Sequence, residues 1–324
     1  MNDNRRKLML ALGATLCGAT GMARASWPDK PIRFIVPYPP GGIGDATSRA
    51  IAQRMAKVFN QPVVVENRPG GNQVIASQAL AGSPADGYTM LLASIANMSI
   101  NPTAFRKLPY DPQRDFAPVS LLFQAPLFLV VDARLPVKNV QDLIALARSR
   151  PGKLTYASIG TGSSVHLAGE LFNAQARIET LHVPYKGSAP AITDMLGGQV
   201  DMMFDGGTSS LPHVKAGKLR VLAVTSSKRS LHQPDVPTME EAGLPGYALT
   251  SWWGLVVPSG TPAAAIDRLQ AAWKQVSADA ELQQAFSKDG IEFLYTEPEQ
   301  FSAFVRAETE RLGTLIKKSQ IVLD

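Results

Sequence analysis

The feature that most constrains this chain is an alternation. Short, apolar, β-rich runs are separated almost to the end by segments with helical spacing. Ten runs read as strands: Ile32–Val36, Val63–Glu66, Tyr88–Ala93, Val119–Leu122, Leu127–Val131, Leu154–Ser158, Thr180–Val183, Val200–Phe204, Leu219–Thr225 and Trp252–Val257. Many are apolar throughout, as strands buried on both faces must be. Between them, Ala46, Ala50, Ile51, Met55 and Val58 fall on one face of a helix. Val140, Leu143, Ile144 and Ala147 do the same, as do Leu167, Ala168, Leu171 and Phe172. Such alternation predicts an α/β fold with mostly parallel sheets.

Ten strands are more than one compact sheet needs, and 324 residues suit two domains. The C-terminal part changes character. Ile266, Leu269, Trp273 and Val276 mark one helix, and Phe301, Phe304, Val305, Glu308, Leu312, Leu315 and Ile316 line another. With no strand expected after Val257, these helices must cover sheet already built. The simplest arrangement makes residues 26–124 plus 250–324 domain 1 and residues 125–249 an inserted domain 2. These are two doubly wound domains joined by a two-strand hinge, with crossings near residues 121–128 and 245–256.

The N-terminus reads as an address. Arg5-Arg6-Lys7 precede a short apolar stretch, Leu8 to Met22, and Ala23-Arg24-Ala25 offers a small-x-small cleavage site, so residues 1–25 are expected to be a signal peptide. The paired arginines leave general secretion and twin-arginine export both open. Removing this segment leaves 28 basic and 26 acidic residues, which excludes the dense basic surface of a nonspecific nucleic-acid binder. It also removes the single cysteine, Cys17, and with it disulfides, thiolate metal sites and cysteine nucleophiles. A soluble, monomeric, cysteine-free protein in a bacterial periplasm is expected, beginning near Ser26.

Two strand-to-helix loops are candidates for chemistry. Tyr38-Pro39-Pro40-Gly41-Gly42-Ile43-Gly44-Asp45 follows the first strand, and Ser158-Ile159-Gly160-Thr161-Gly162-Ser163-Ser164 follows another. Glycines let backbone N–H groups face a ligand, and a helix N-terminus at a strand's carboxyl end attracts anions. Either loop alone also reads as an ordinary capped turn. As a pair, one per domain, they are placed to grip one carboxylate-bearing ligand. His166, in the first turn after the second loop, is expected to be neutral because the helix dipole lowers its pKa, and to act as a hydrogen-bond donor. Packing or capping is its other reading. Asp205, after Val200–Phe204, either faces the cleft or stabilises the turn before Gly206-Gly207. Ser94 and Asn97, after the third strand, point to the same crevice. Trp252 and Trp253 read as packing for the hinge, or as a wall for the ligand.

Other motifs fail. The Gly160-x-Gly162 pattern reaches Val165 where a dinucleotide fingerprint needs Gly or Ala. The Gly-Lys pairs are followed by Leu154 and Leu219, so there is no phosphate loop. No G-x-S-x-G elbow occurs, and His166, His182, His213 and His232 have no metal spacing. No cofactor is expected.

Several blocks carry a family likeness. They are Trp27-Pro28-x-x-Pro31-Ile32-Arg33, Val36-Pro37-Tyr38-Pro39-Pro40-Gly41-Gly42 with Asp45, Val65-Glu66-Asn67-Arg68-Pro69-Gly70-Gly71 and Pro84-Ala85-Asp86-Gly87-Tyr88. Later in the chain come Gly162-Ser163-Ser164-Val165-His166-Leu167, His182-Val183-Pro184-Tyr185-Lys186-Gly187, Pro237-Thr238-x-x-Glu241-Ala242-Gly243 and Pro258-x-Gly260-Thr261-Pro262. Together they span the chain after residue 25, which resembles the substrate-binding receptors of tripartite tricarboxylate transporters, the Bug family. The resemblance implies a type II periplasmic binding protein that closes like a flytrap on a small carboxylate and delivers it to the transporter's membrane subunits. It implies ligand contacts at Tyr38, Gly41, Gly42, Gly160, Thr161, Ser163 and Ser164, with Asp205 nearby. Ser94, Gly162 and His166 join this set from the reading of the residues themselves. Ile43 and Gly44 depart from the family's pattern, where small polar residues are commoner.

Two other functions compete. An exported sensory protein would bind the same ligand and signal to a different partner. A carboxylate-processing hydrolase would need a nucleophile and base, and Ser163 with His166 is the one nearby pair, with no orienting acid.

Overall fold

The computed structural model describes residues 27–230, 233–288, 290–318 and 321–323. The expected signal peptide, Cys17, the expected start at Ser26 and His232 lie outside the described residues. Among the described residues eleven strands form two sheets. The first contains β1 (Ile32–Val36), β2 (Val63–Asn67), β3 (Thr89–Ser94), β4 (Phe116–Pro126), β10 (Thr250–Pro258) and β11 (Glu292–Phe293), in the order β11-β4-β10-β3-β1-β2. The second contains β5 (Phe128–Asp132), β6 (Thr155–Ser158), β7 (Leu181–Pro184), β8 (Met202–Asp205) and β9 (Leu219–Val224), in the order β7-β6-β8-β5-β9. Each sheet, with its helices, is one lobe of a two-domain α/β fold.

The sheets are mixed, which corrects the expectation of mostly parallel strands. β1 runs parallel to β2 and β3, and β6 runs parallel to β7 and β8. β10 is antiparallel to β3 and β4, and β5 is antiparallel to β8 and β9. The reason is the double crossing between lobes. A strand arriving from the other lobe enters the sheet from the side where the parallel strands end. A second correction is β11, a strand after Val257. It is two residues long and pairs with the outer edge of β4, too short to leave a periodic signal.

The helices are α1 (Ile43–Phe59), α2 (Val74–Ala81), α3 (Asn101–Ala104), α4 (Val140–Ser149), α5 (Ser164–Ala176), α6 (Ser188–Leu196), α7 (Leu211–Lys215), α8 (Ala263–Ser277), α9 (Ala280–Ser287) and α10 (Pro298–Lys318). A wide helical turn, Ala96–Ile100, leads into α3. The buried face of α1 differs from the expected one. Ala46 and Val58 are exposed, whereas Thr47, Ser48, Ile51, Ala52, Met55 and Phe59 are buried. Burying these two small hydroxyl residues has a cost: Thr47 Oγ1 and Ser48 Oγ have no hydrogen-bond partner among the described residues. The face expected for α4 is the buried one, and so is that of α5 except for Leu171, which is half-buried.

The two crossings are stitched together. The first passes through Leu127, and the second joins β9 to β10. Leu127 N–H donates to Thr225 Oγ1 at 2.8 Å, and Thr225 N–H donates back to the Leu127 carbonyl at 2.8 Å. Leu249 N–H donates to the Thr225 carbonyl at 3.0 Å, and Thr250 pairs with Pro126 in the ladder that follows. Thr225 is fully buried. One continuous apolar cluster runs through this region, from Val130, Phe204 and Tyr247 to Trp252, Phe301 and Leu312. Trp252 packs its indole edge-on against Phe301 and Phe304 of α10.

Gly254 of β10 lies directly beneath Phe301, and a Cβ there would overlap the Phe301 ring. Gly254→Ala is therefore expected to destabilise the protein by about 1–3 kcal/mol, the usual cost of overpacking. Urea unfolding would measure this. A midpoint equal to that of the parent would contradict the packing of α10 on this strand.

Candidate functional site

The first loop leaves the carboxyl end of β1. Gly42 is the N-cap of α1 and supplies no side-chain cap, so the first-turn N–H groups are left to outside partners. Gly41 has φ +93° and donates its N–H to Asp45 Oδ2 at 2.9 Å. The buried Asp45 carboxylate also accepts from Arg49 Nε at 3.1 Å and from Asn67 Nδ2 at 2.8 Å. Burial pushes this carboxyl up, but the hydrogen bonds from Arg49, Gly41 and Asn67 outweigh it and hold the group below its ordinary value. Arg49 is thereby matched by its own carboxylate. Gly44, a departure from the family pattern, has a steric reason: a Cβ there would lie 2.5 Å from Tyr38 Cδ2.

Tyr38 and Ser94 are brought together through Gln73, which sequence reasoning missed. The Tyr38 hydroxyl accepts from Gln73 Nε2 at 3.0 Å and from Trp253 Nε1 at 2.8 Å. Burial pushes its pKa up, against hydrogen bonds with Ser94, Trp253 and Gln73. Ser94 Oγ donates to Gln73 Oε1 at 2.7 Å, and Ser94 N–H donates to Asn97 Oδ1 at 2.7 Å. Trp253 therefore belongs to the wall behind the first loop, stacked on Phe123 at 4.7 Å, while Trp252 belongs to the core.

Gln73 ends an unusual segment. Gly70, Gly71, Asn72 and Gln73 have φ of +119°, +55°, +47° and +73° in succession, a left-handed turn after β2. Such values are unfavourable for residues with a Cβ. The composition of Pro69-Gly70-Gly71-Asn72 carries the signal for such a turn.

The second loop leaves β6. Ser163 caps α5: its Oγ accepts from His166 N–H at 3.2 Å and donates to the Gly160 carbonyl at 2.7 Å. Gly160 and Gly162 both have positive φ, +125° and +78°. Gly162 N–H donates to His166 Nδ1 at 3.1 Å, so the neutral ring carries its proton on Nε2. The imidazole is an acceptor toward the loop, not a donor, and it is not hydrogen-bonded to Ser163 Oγ as a base to a nucleophile. Ser164 Oγ accepts from Ser251 Oγ of β10 at 2.9 Å, which leaves its own proton to give. Thr161 stands exposed at the tip.

His166 is stacked on His182 with ring centroids 3.9 Å apart, and Tyr156 stacks on His182 at 4.9 Å. Burial first, and then the neighbouring His182, push His166 down to about 3. Burial pushes His182 down to about 4. The expected direction for His166 holds, but the cause is burial beside a second histidine rather than the helix dipole. Tyr156 donates its hydroxyl to Glu170 Oε1 at 2.6 Å.

The two loops meet through the left-handed turn. Asn72 Nδ2 donates to the Gly162 carbonyl at 3.1 Å, across the two lobes. Asp205 is not drawn into this group. Its Oδ2 accepts from Gly207 N–H at 2.9 Å, Ser210 Oγ at 2.7 Å and Ser210 N–H at 3.2 Å, which organises the turn after β8. Two cavities, of about 450 and 370 Å³, lie away from all three loops, the larger beside Ile266 and Arg306 and the smaller beside Asn139 and Glu241. Among the described residues no group of three or more His, Cys, Asp or Glu could hold a metal ion, and no helix is long and apolar enough to cross a membrane.

Comparison with known proteins places this geometry. The sequence profile of the family described as "Tripartite tricarboxylate transporter family receptor" matches residues 47–321. A protein of Pseudomonas sp. (strain P51), described as "UPF0065 protein in tcbD-tcbE intergenic region", is 39% identical over 318 residues, covering 97% of this chain and 94% of its own length. Among solved structures, R. palustris Rpa4515 with adipate superposes with TM-score 0.86 at 35% identity, covering 91% of this chain and 99% of that one. MatC (Rpa3494) from Rhodopseudomonas palustris, with bound malate, superposes with TM-score 0.82 at 29% identity, covering 90% of this chain and all of that one.

The histidine pair makes stability depend on pH. Both folded-state values lie below the ordinary 6.5, so between about pH 4 and 6.5 the unfolded chain binds more protons than the folded one. The contribution is complete above pH 6.5 and is lost as pH falls toward the folded-state values. Urea midpoints should drop between pH 7.5 and pH 4.5, with a shallower drop in His182→Phe. Equal slopes in parent and variant would contradict this assignment.

Proposed function

This chain belongs to the family of tripartite tricarboxylate transporter receptors, and from that membership and its loop geometry we propose that it is an exported receptor for a small carboxylate. The ligand is gripped between the first lobe, residues 26–124 plus 250–324, and the second, residues 125–249. These move about the paired crossings at Leu127 and at 225–250. Residues 1–25 direct the chain to the periplasm, and the closed, loaded form is presented to the membrane subunits of a tripartite transporter.

The observation that carries this reading is the start of α5. Ser163 caps one N–H, which leaves the earliest amides of the helix and the Ser164 hydroxyl as donors at a positive helix end. This end faces the other lobe through Gly162, and neither loop contains Lys or Arg. Such a donor set suits a carboxylate held by amides and hydroxyls rather than by ion pairs. The two R. palustris structures hold adipate and malate, both dicarboxylates. Dicarboxylates are therefore the first class to test here.

A receptor role accounts for the site better than catalysis does. Two serine–histidine pairs lie at the loop. Ser163 and His166 are arranged as a cap and a loop acceptor, and Ser158 Oγ lies 2.6 Å from His182 Nε2 but is fully buried at the foot of the loop. No proton-transfer geometry remains for Ser163 to act as a nucleophile.

A thermal-shift screen of adipate, malate, citrate and matched amides tests the proposal. A carboxylate at 100 times its dissociation constant should add about 2.7 kcal/mol of stability. The matching amide should add none. For a carboxylate that binds, Ser164→Ala should weaken affinity about ten- to hundredfold, the loss of one charge-assisted hydrogen bond worth about 1.5–3 kcal/mol. Calorimetry would measure it, and native affinity in the folded variant would place the ligand elsewhere.

A further inference from the structure

The left-handed turn Gly70–Gln73 supplies none of the proposed ligand contacts, yet it carries backbone values that cost energy at Asn72 and Gln73. What the turn achieves is placement. Gln73 is turned toward Tyr38 and Ser94 of its own lobe. Asn72, one residue earlier, is turned toward the other lobe. Its Nδ2 donates to Asn101 Oδ1 at 2.8 Å and to the Gly162 carbonyl at 3.1 Å.

The anchor behind Asn72 is firm. Asn101 Nδ2 donates to the Asn72 carbonyl at 2.8 Å and to the Tyr110 hydroxyl at 3.1 Å, and Tyr110 donates to the Asn97 carbonyl at 2.7 Å. Asn101 and Asn97 are fully buried. The target is also held, since the N–H of Gly162 donates to His166 Nδ1. The fit is close. A Cβ on Gly162 would lie 2.7 Å from Asn72 Nδ2 and 2.6 Å from Leu323 Cδ1, whose backbone is itself tied to Ala104.

We infer that Asn72 is the latch between the lobes: it holds the second loop against the first lobe and thereby sets how much of the population is closed, without touching the ligand. This rests on the receptor reading only for its consequence. A ligand that binds the closed form sees an affinity reduced by the fraction of molecules not closed. Removing the Asn72 donor should lower the ratio of closed to open molecules about five- to tenfold, the scale of one net hydrogen bond.

The test measures interlobe distance without added ligand. Spin labels on Lys57→Cys in α1 and Thr193→Cys in α6, both exposed, report the separation by pulsed electron resonance. Asn72→Gly keeps the left-handed backbone and Asn72→Asp keeps the shape, and each removes the amide. Both should shift the distance distribution toward a separated population. A folded variant with the parent's distribution overturns the latch. In the unaltered protein both Nδ2 protons of Asn72 should exchange slowly with water by NMR. Fast exchange overturns the latch even if a variant fails to fold. Adipate binding is measured separately. Lobes that separate in a protein that binds no carboxylate support the latch and count against the receptor reading. Unchanged lobes in a protein that binds adipate do the reverse.

Discussion

The chain crosses between its two sheets twice, and everything else depends on holding those crossings side by side. Backbone leaving a sheet loses its ladder partners, and in a buried position it must find others. Thr225 supplies them. Its hydroxyl, N–H and carbonyl serve Leu127 on one crossing and Leu249 on the other. With both crossings tied at one point, the parallel strands β1 and β6 end toward each other. In the proposed receptor their loops belong to one site.

The site built there relies on amides and hydroxyls more than on charge. Gly41 and Asp45 settle the first loop, and Ser163 and His166 settle the second, each by a bond inside its own loop. The nearby Arg49 is already neutralised by Asp45. Proposed ligand recognition therefore falls to donors that no side chain uses, at the starts of α1 and α5. The stacked pair His166–His182 serves this arrangement by staying neutral. A protonated His166 has no lone pair on Nδ1 to accept from Gly162.

Much of the fold was legible because buried strands and amphipathic helices leave periodic marks. Val140, Leu143, Ile144 and Ala147 lie on one buried face, as their spacing requires. The mixed strand directions were not legible, because direction follows from where the chain crosses and not from which residues are apolar. The face of α1 was misplaced since Thr47 and Ser48 are buried in spite of their polarity. At the site, the glycine loops stood out through composition. Gln73, Asn72 and His182 did not, because each acts through a partner distant in sequence: Tyr38, Gly162 and His166. Gly44 looked like a departure in the pocket, and it is a packing requirement of the Tyr38 ring.

The proposed recognition puts a carboxylate between the starts of α1 and α5, held by backbone donors from both lobes. The most direct measurement is a crystal structure grown with whichever carboxylate stabilises the protein. A carboxylate group should lie within hydrogen-bond distance of amides in residues 160–165, with the loop after β1 closing over it. A ligand seated in the cavity beside Ile266 and Arg306, with residues 160–165 untouched, would contradict it.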